Sequence, residues 1–168
     1  FKEAFIGDER IVFIEHRVDV KWGSINEVEY PMELVRAALN CGEDFSRLIT
    51  LSGMDYPLWN KNRIIQFFEQ DKDRESIMGI DLSTGGLPSM RYTEFYFMTS
   101  KKRTLRYMLS VVLRKLLHYL GIKKPLKIKT SDKSLKLWKG AAWWAISPRL
   151  ASYILHEWDE NIELRKYM

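Results

Sequence analysis

Two hydrophobic patterns alternate along this chain. Short unbroken apolar runs predict buried strands, and longer stretches with an apolar residue every three or four positions predict amphipathic helices. The runs lie at 11–14 (IVFI), 47–51 (RLITL), 76–80 (SIMGI), 92–98 (YTEFYFM) and 142–146 (AWWAI). The first helical stretch starts near Ile25, where Ser24 and Glu27 have capping-box spacing. It carries Val28, Met32, Val35, Ala38 and Leu39 to a stop at Gly42. Pro31 falls inside it and should kink or split it. Asn60 caps a second helix over 61–69. The strongest helix spans 104–120, where Leu105, Met108, Val112, Leu116 and Tyr119 or Leu120 make one stripe and Gly121 stands at the C′ position. Ser147 followed by Pro148 opens a last helix to about 158, with Leu150, Tyr153, Ile154 and Trp158 at helical spacing. Residues 83–89 read as a loop. Strands alternating with helices over this length predict an α/β domain with a mainly parallel sheet.

Composition narrows the class. With 168 residues, 46% of them hydrophobic, the chain can bury one sizeable core but not two ordinary domains. Six Trp, eight Tyr and eight Phe exclude disorder, collagen-like repeats and coiled coil. The single cysteine, Cys41, excludes a disulfide framework and a Cys-based zinc site, and it favours a reducing compartment. No apolar run approaches the roughly 18 residues that span a bilayer, and no signal-peptide pattern opens the chain. Phe1 at the start and a helix-interior pattern over 163–168 are expected of a segment cut from a longer chain at both ends.

Charge adds an asymmetry that the net value of +5 hides. Residues 101–139 hold thirteen Lys or Arg and one acid, Asp132, whereas the rest hold fourteen basic and twenty-one acidic side chains. One basic surface on an otherwise acidic protein follows. Nucleic acid, anionic lipid and phosphorylated ligands are its candidate partners. Nucleic acid fits least, because aromatics are not interleaved with these charges as in a stacking platform. The 104–120 helix, with Arg103, Arg106, Arg114 and Lys115 around its stripe, suits a membrane surface. The ordinary alternative is a helix that packs its stripe on the sheet.

Two segments carry candidate chemistry. In LSGMDYPL (51–58) a strand runs into a small-residue turn, then Asp55, Tyr56 and Pro57. Ligands bind outside the carboxyl ends of strands in open α/β sheets, and Ser52 and Gly53 permit close backbone approach. The same residues also suit a plain turn in which Asp55 caps backbone amides. In KGAAWWAISPR (139–149) adjacent Trp143 and Trp144 must point to opposite faces of a strand. One can enter a core while the other stacks on a sugar or base, unless the sheet is covered on both faces. The literal D-x-D at Asp71 and Asp73 lies in the charged run QDKDRES and reads as a solvated loop. His16, His118 and His156 lack metal-ligand spacing. No motif supports Cys41 with His156 as nucleophile and base.

Taken together, LSGMDYPL, KGAAWWAISPRLASYIL and HRVDVKWGSINEVEYPMELVRAAL (16–39) resemble, in order, the core-2/I-branching enzyme family of glycosyltransferases, which includes the xylosyltransferases that start proteoglycan chains. The likeness spans about 10–158 and is loose over about 98–134. It implies a GT-A-like, Rossmann-type fold of which residues 1–168 are the central part. It also implies an inverting, metal-independent transfer of N-acetylglucosamine or xylose from a UDP-sugar to a carbohydrate hydroxyl, with no cofactor. Such chemistry needs a general base opposite the leaving group and a positive clamp on the diphosphate. The resemblance places the base beyond Met168, so no catalytic residue is assigned. It matches Arg17 and Trp22 to positions flanking the nucleotide, and Ser52, Gly53 and Asp55 to the turn beside the donor sugar. Asp81 and Arg91 match the acceptor region, and Trp143, with Gly140 allowing close approach, matches the sugar-binding face. Ala142 stands where the xylosyltransferases have an acid, which leans toward the branching enzymes. The low cysteine content points to a bacterial enzyme of surface polysaccharide synthesis, cytoplasmic or peripheral to the inner face of the membrane, with a lipid-linked acceptor if 101–139 meets that membrane. A eukaryotic member would be in the Golgi lumen. A carbohydrate- or membrane-surface-binding domain that kept the fold without catalysis is the alternative.

Overall fold

The computed structural model describes residues 2–20, 24–84, 92–95, 104–129 and 134–167. Helix α1 (Asn26–Asn40) starts with Ile25 at the cap position and runs through Pro31 as one element rather than two. Strand β1 (Leu48–Ile49) leads to α2 (Lys61–Glu69), whose cap Asn60 accepts the Arg63 amide at 3.0 Å. Strand β2 (Ser76–Asp81) follows, then a 3-10 turn (Leu82–Thr84). Helix α3 (Leu105–Tyr119) is capped by the Thr104 hydroxyl, and Gly121 closes it at φ 71°, a left-handed conformation that favours glycine. A hairpin of β3 (Lys127–Lys129) and β4 (Ser134–Lys136) precedes the long β5 (Trp138–Ile146), then α4 (Pro148–Glu160) and α5 (Ile162–Tyr167).

The mainly parallel sheet expected from the alternation is not what these residues form. The main sheet has the order β1-β5-β2, and both ladders are antiparallel. The reason is specific. The unit β1-α2-β2 does leave its two strands pointing the same way, but β5 enters between them running opposite to both. A strand from about a hundred residues downstream thus replaces the pairing that local alternation implies. The fold of the described residues is mixed α/β with small antiparallel sheets.

The core lies where β5 meets α1 and α4. Val35, Leu48, Ile146 and Ala151 are buried together, and Trp144, Leu39, Ile154 and Leu155 pack against them. Ala151 is fully buried, so α4 approaches the sheet closely there. At the rim Arg36 of α1 forms a bidentate pair with Asp159 of α4, at 2.8 and 2.9 Å. At the head of α4 the Ser147 hydroxyl accepts the Leu150 amide, with Pro148 in the first helical turn. Ser147 also donates its amide (2.8 Å) and its hydroxyl to Glu75. Burial works against charge on Glu75, but those two bonds together with Arg47 and Arg149 outweigh it and hold the carboxyl below its usual range.

Two expected strands fail. Residues 11–14 pair with no strand among the described residues, and Val12, Phe13 and Ile14 line a cleft instead. Tyr92 and Thr93 form a helical turn rather than the start of a strand, and 96–98 lie outside the described residues. One hairpin was not expected. In β3 and β4 the apolar Ile128 and Leu135 face inward while Lys127, Lys129 and Lys136 point out, the period-2 pattern of a half-buried ribbon.

Candidate functional site

The two chemically suggestive segments meet. Beyond β1, Thr50 continues the ladder to β5: its amide donates to the Trp144 carbonyl at 3.0 Å. Its hydroxyl accepts the Trp144 amide at 2.9 Å and donates to the Ala142 carbonyl at 3.0 Å. On the other edge of β5, Ile77 pairs with Trp144 and Gly79 with Gly140, so two steps along β2 span four along β5. Such a bulge re-aims the side chains it carries, and it contains Trp143. Trp144 packs on the core as one of the two tryptophans must, while Trp143 is 59% exposed.

The turn after Thr50 then closes on that exposed indole. The Asp55 amide donates to the Ser52 carbonyl at 3.1 Å, and the Met54 amide to the Ser52 hydroxyl at 3.3 Å. Asp55 Oδ2 accepts the Ser52 amide at 2.6 Å and the Trp143 Nε1–H at 2.7 Å. The carboxylate therefore caps its own turn and fixes the orientation of the ring. The Ser52 amide, and next the Trp143 indole, hold the Asp55 carboxyl below the usual carboxylate range. Through Oδ2 the Asp55 side chain thus ties the turn to the Trp143 ring. A side chain added at Gly53 would meet open space, and one at Gly140 only the Met78 carbonyl at 3.9 Å. Exposed Leu51, Met54, Tyr56 and Leu58 surround Asp55 in the chain, so this face is unusually apolar and aromatic. Close by in sequence, the Arg63 guanidinium lies 4.4 Å from the centre of the Trp59 ring.

Asp81 belongs to a different place. It pairs across the sheet with Trp138, five residues from Trp143 along β5 and hence up to about 17 Å away. Its carboxylate accepts Lys136 Nζ at 2.6 Å and the Ser83 amide at 2.8 Å. Lys136 first, then Ser83, push its pKa down to about 2. Arg17 stands on the wall of an open cleft of about 380 Å³ between 12–20 and α1, lined also by Phe13, His16, Tyr30 and Glu33. That volume is within the range of small-molecule sites. Neither Asp55 nor Trp143 lines it. Trp22 and Arg91 lie outside the described residues.

Sequence reasoning missed Thr50, Lys136 and Glu75. Thr50 carried a signal, a lone hydroxyl in the apolar run RLITL, whereas the partners of Lys136 and Glu75 depend on the entry of β5 into the sheet. Asp71 and Asp73 fall in an exposed turn whose Asp71 and Lys72 carbonyls accept Arg47. Among the described residues no three His, Cys, Asp or Glu side chains gather where they could hold a metal ion.

Comparison with known proteins gives one result of substance. The sequence model described as Core-2/I-Branching enzyme matches residues 8–166. No curated protein and no solved structure matches the chain.

Proposed function

The chain belongs to the core-2/I-branching enzyme family of glycosyltransferases, and from that premise we propose that it moves N-acetylglucosamine or xylose from a UDP-sugar to a carbohydrate hydroxyl. The observation that carries this reading is the bond between Asp55 and Trp143. It joins the two motif segments and holds an exposed aromatic face in one orientation at the end of β1. An aromatic face suits the CH-rich side of a sugar ring, and a ring locked by its N–H does not lose orientation when sugar binds. Ser52, Gly53 and Asp55 then form the turn beside the donor sugar, with Trp143 and Gly140 at its face. Arg17 and the cleft along α1 are the place for the nucleotide, and Asp81 and Arg91 serve the acceptor side.

In the inverting reaction a bond forms between the acceptor oxygen and the anomeric carbon as the bond from that carbon to the phosphate oxygen breaks. UDP leaves, and the acceptor proton passes to a general base. Cationic side chains balance charge on the departing diphosphate without a metal, on a GT-A-type scaffold. The enzyme acts in surface polysaccharide synthesis, in the cytoplasm or at the inner face of a bacterial membrane.

Calorimetry with UDP and transfer assays on the full chain test this. UDP should bind equally well in excess EDTA, and loss of binding on chelation sinks metal independence. Trp143→Ala should cut transfer at least tenfold while the thermal transition stays nearly unchanged. Sugar binding with no turnover on any acceptor would favour a non-catalytic carbohydrate-binding domain.

A further inference from the structure

The long helix α3 does not take the ordinary arrangement, in which its apolar stripe would pack on the sheet. Its inward, half-buried positions are Tyr107, Ser110, Val111, Arg114 and Leu117. Arg114 and His118 face Glu94, at 3.8 and 3.6 Å. The apolar stripe points outward: Leu105, Met108, Leu109, Val112, Leu116 and Tyr119 are all exposed, Val112 at 64% and Tyr119 at 87%. The stripe therefore does not pack on the sheet. At 3.6 residues per turn these six positions fall within an arc of roughly 100°. Lys115 lies about 20° beyond one edge of that arc and Arg106 about 60° beyond the other, past exposed Leu120 and Leu113, and both cations are exposed.

Charge decides what such a face meets. From Thr104 to Lys129 the chain holds seven Lys or Arg and no Asp or Glu. Exposed Lys123, Lys127 and Lys129 follow directly after the helix. A second copy laid face to face would set its cationic flanks beside those of the first, with no acidic side chain on either helix to pair them, a repulsive arrangement. An anionic bilayer surface satisfies both features together. The apolar arc enters the boundary between headgroups and acyl chains, while the flanking cations reach back to lipid phosphates. No helix among the described residues is long and apolar enough to cross a membrane, so the contact is interfacial.

We propose that α3 is an interfacial membrane-binding helix that lies in an anionic lipid surface through its Leu105–Tyr119 stripe, with Arg106 and Lys115 on lipid phosphates. The inference is independent of the transfer reaction and does not use the Asp55–Trp143 site.

Cosedimentation of the full chain with vesicles tests it. Vesicles of phosphatidylcholine and phosphatidylglycerol, about three to one, should pull the protein down, and phosphatidylcholine alone should not. Val112→Asp should abolish binding and leave the melting temperature within about one degree, because the position is solvent-facing. Arg106→Gln with Lys115→Gln should weaken binding about 25-fold, about fivefold for each cation removed near an anionic surface. Three results overturn the proposal. The protein fails to sediment with the anionic vesicles, or it sediments regardless of these substitutions. Alternatively, Val112→Asp dissolves a concentration-dependent dimer or lowers the melting temperature by several degrees, which would mean that protein covers the stripe.

Discussion

Replacing Thr50 by Val removes one hydroxyl and almost no volume, at the point where the turn is bolted to β5. That hydroxyl accepts the Trp144 amide at 2.9 Å and donates to the Ala142 carbonyl at 3.0 Å, and Thr50 itself is half-buried. Valine leaves both backbone groups without this partner, at the bulge where β2 cannot supply a regular ladder. An unsatisfied buried amide costs about 1–3 kcal/mol. Taking about 2 kcal/mol, a chain of this size should lose about 4–8 °C in melting temperature. Thr50→Ser keeps the hydroxyl and loses only a methyl, so it should melt within about 2 °C of the parent. Differential scanning fluorimetry on the three proteins reads the stability part. Transfer activity, measured well below the melting point of the Val variant, should fall further than the lost folded fraction explains, because the bulge also sets the position of Trp143. A Val variant that melts with the parent would refute the reasoning, and so would equal losses for Val and Ser.

The two adjacent tryptophans should separate cleanly. Trp144→Ala should destabilise by about 3–5 kcal/mol, the usual cost of truncating a core aromatic, whereas Trp143→Phe should melt like the parent and raise KM through loss of the indole N–H to Asp55; calorimetry and steady-state kinetics distinguish them. Ile146→Ala, at 2% exposure, should cost about 2–5 kcal/mol in a denaturant titration. The folded pKa of Asp81 is depressed from the ordinary 3.8 to about 2. Its stabilising contribution is therefore complete above about pH 4 and is lost as pH falls toward 2. Asp81→Asn should flatten that part of the acid-unfolding curve, and an unchanged acid limb would show that the pair with Lys136 does not form in solution.

Much of the local structure is legible in the sequence because its causes are local. Asn60 and Ser147 cap the helices that they were expected to cap, Thr104 caps the helix it was expected to begin, and the capping box expected at Ser24 does not form, with Ile25 at the cap position instead. The strands at 47–51 and 76–80 are present in shortened or extended form. Residues 11–14 mislead because a β-branched run specifies a strand only where a partner edge exists. The β3–β4 hairpin does carry a signal, since Leu126-Lys127-Ile128-Lys129 alternates with period two, but three or four residues of alternation are too short to fix a strand without their partner. The stripe on α3 fails in the opposite way. Periodicity shows that a helix is amphipathic, and it does not say whether the apolar side meets protein.

The site was legible as two separate motifs and illegible as a place. What unites Asp55 with Trp143 is the entry of β5 between β1 and β2, a pairing across more than ninety residues that no spacing rule reaches. That topology also explains the bulge. β5 must satisfy two edges at once, and Thr50 serves the β1 side with a hydroxyl where β2 has run out of register. The irregularity leaves Trp143 outward while its neighbour stays in the core. The chain thus uses a local failure of sheet regularity to set an aromatic ring, and Asp55 holds the result in place. A substitution that restored regular pairing between β2 and β5 should therefore stabilise the sheet and impair the site.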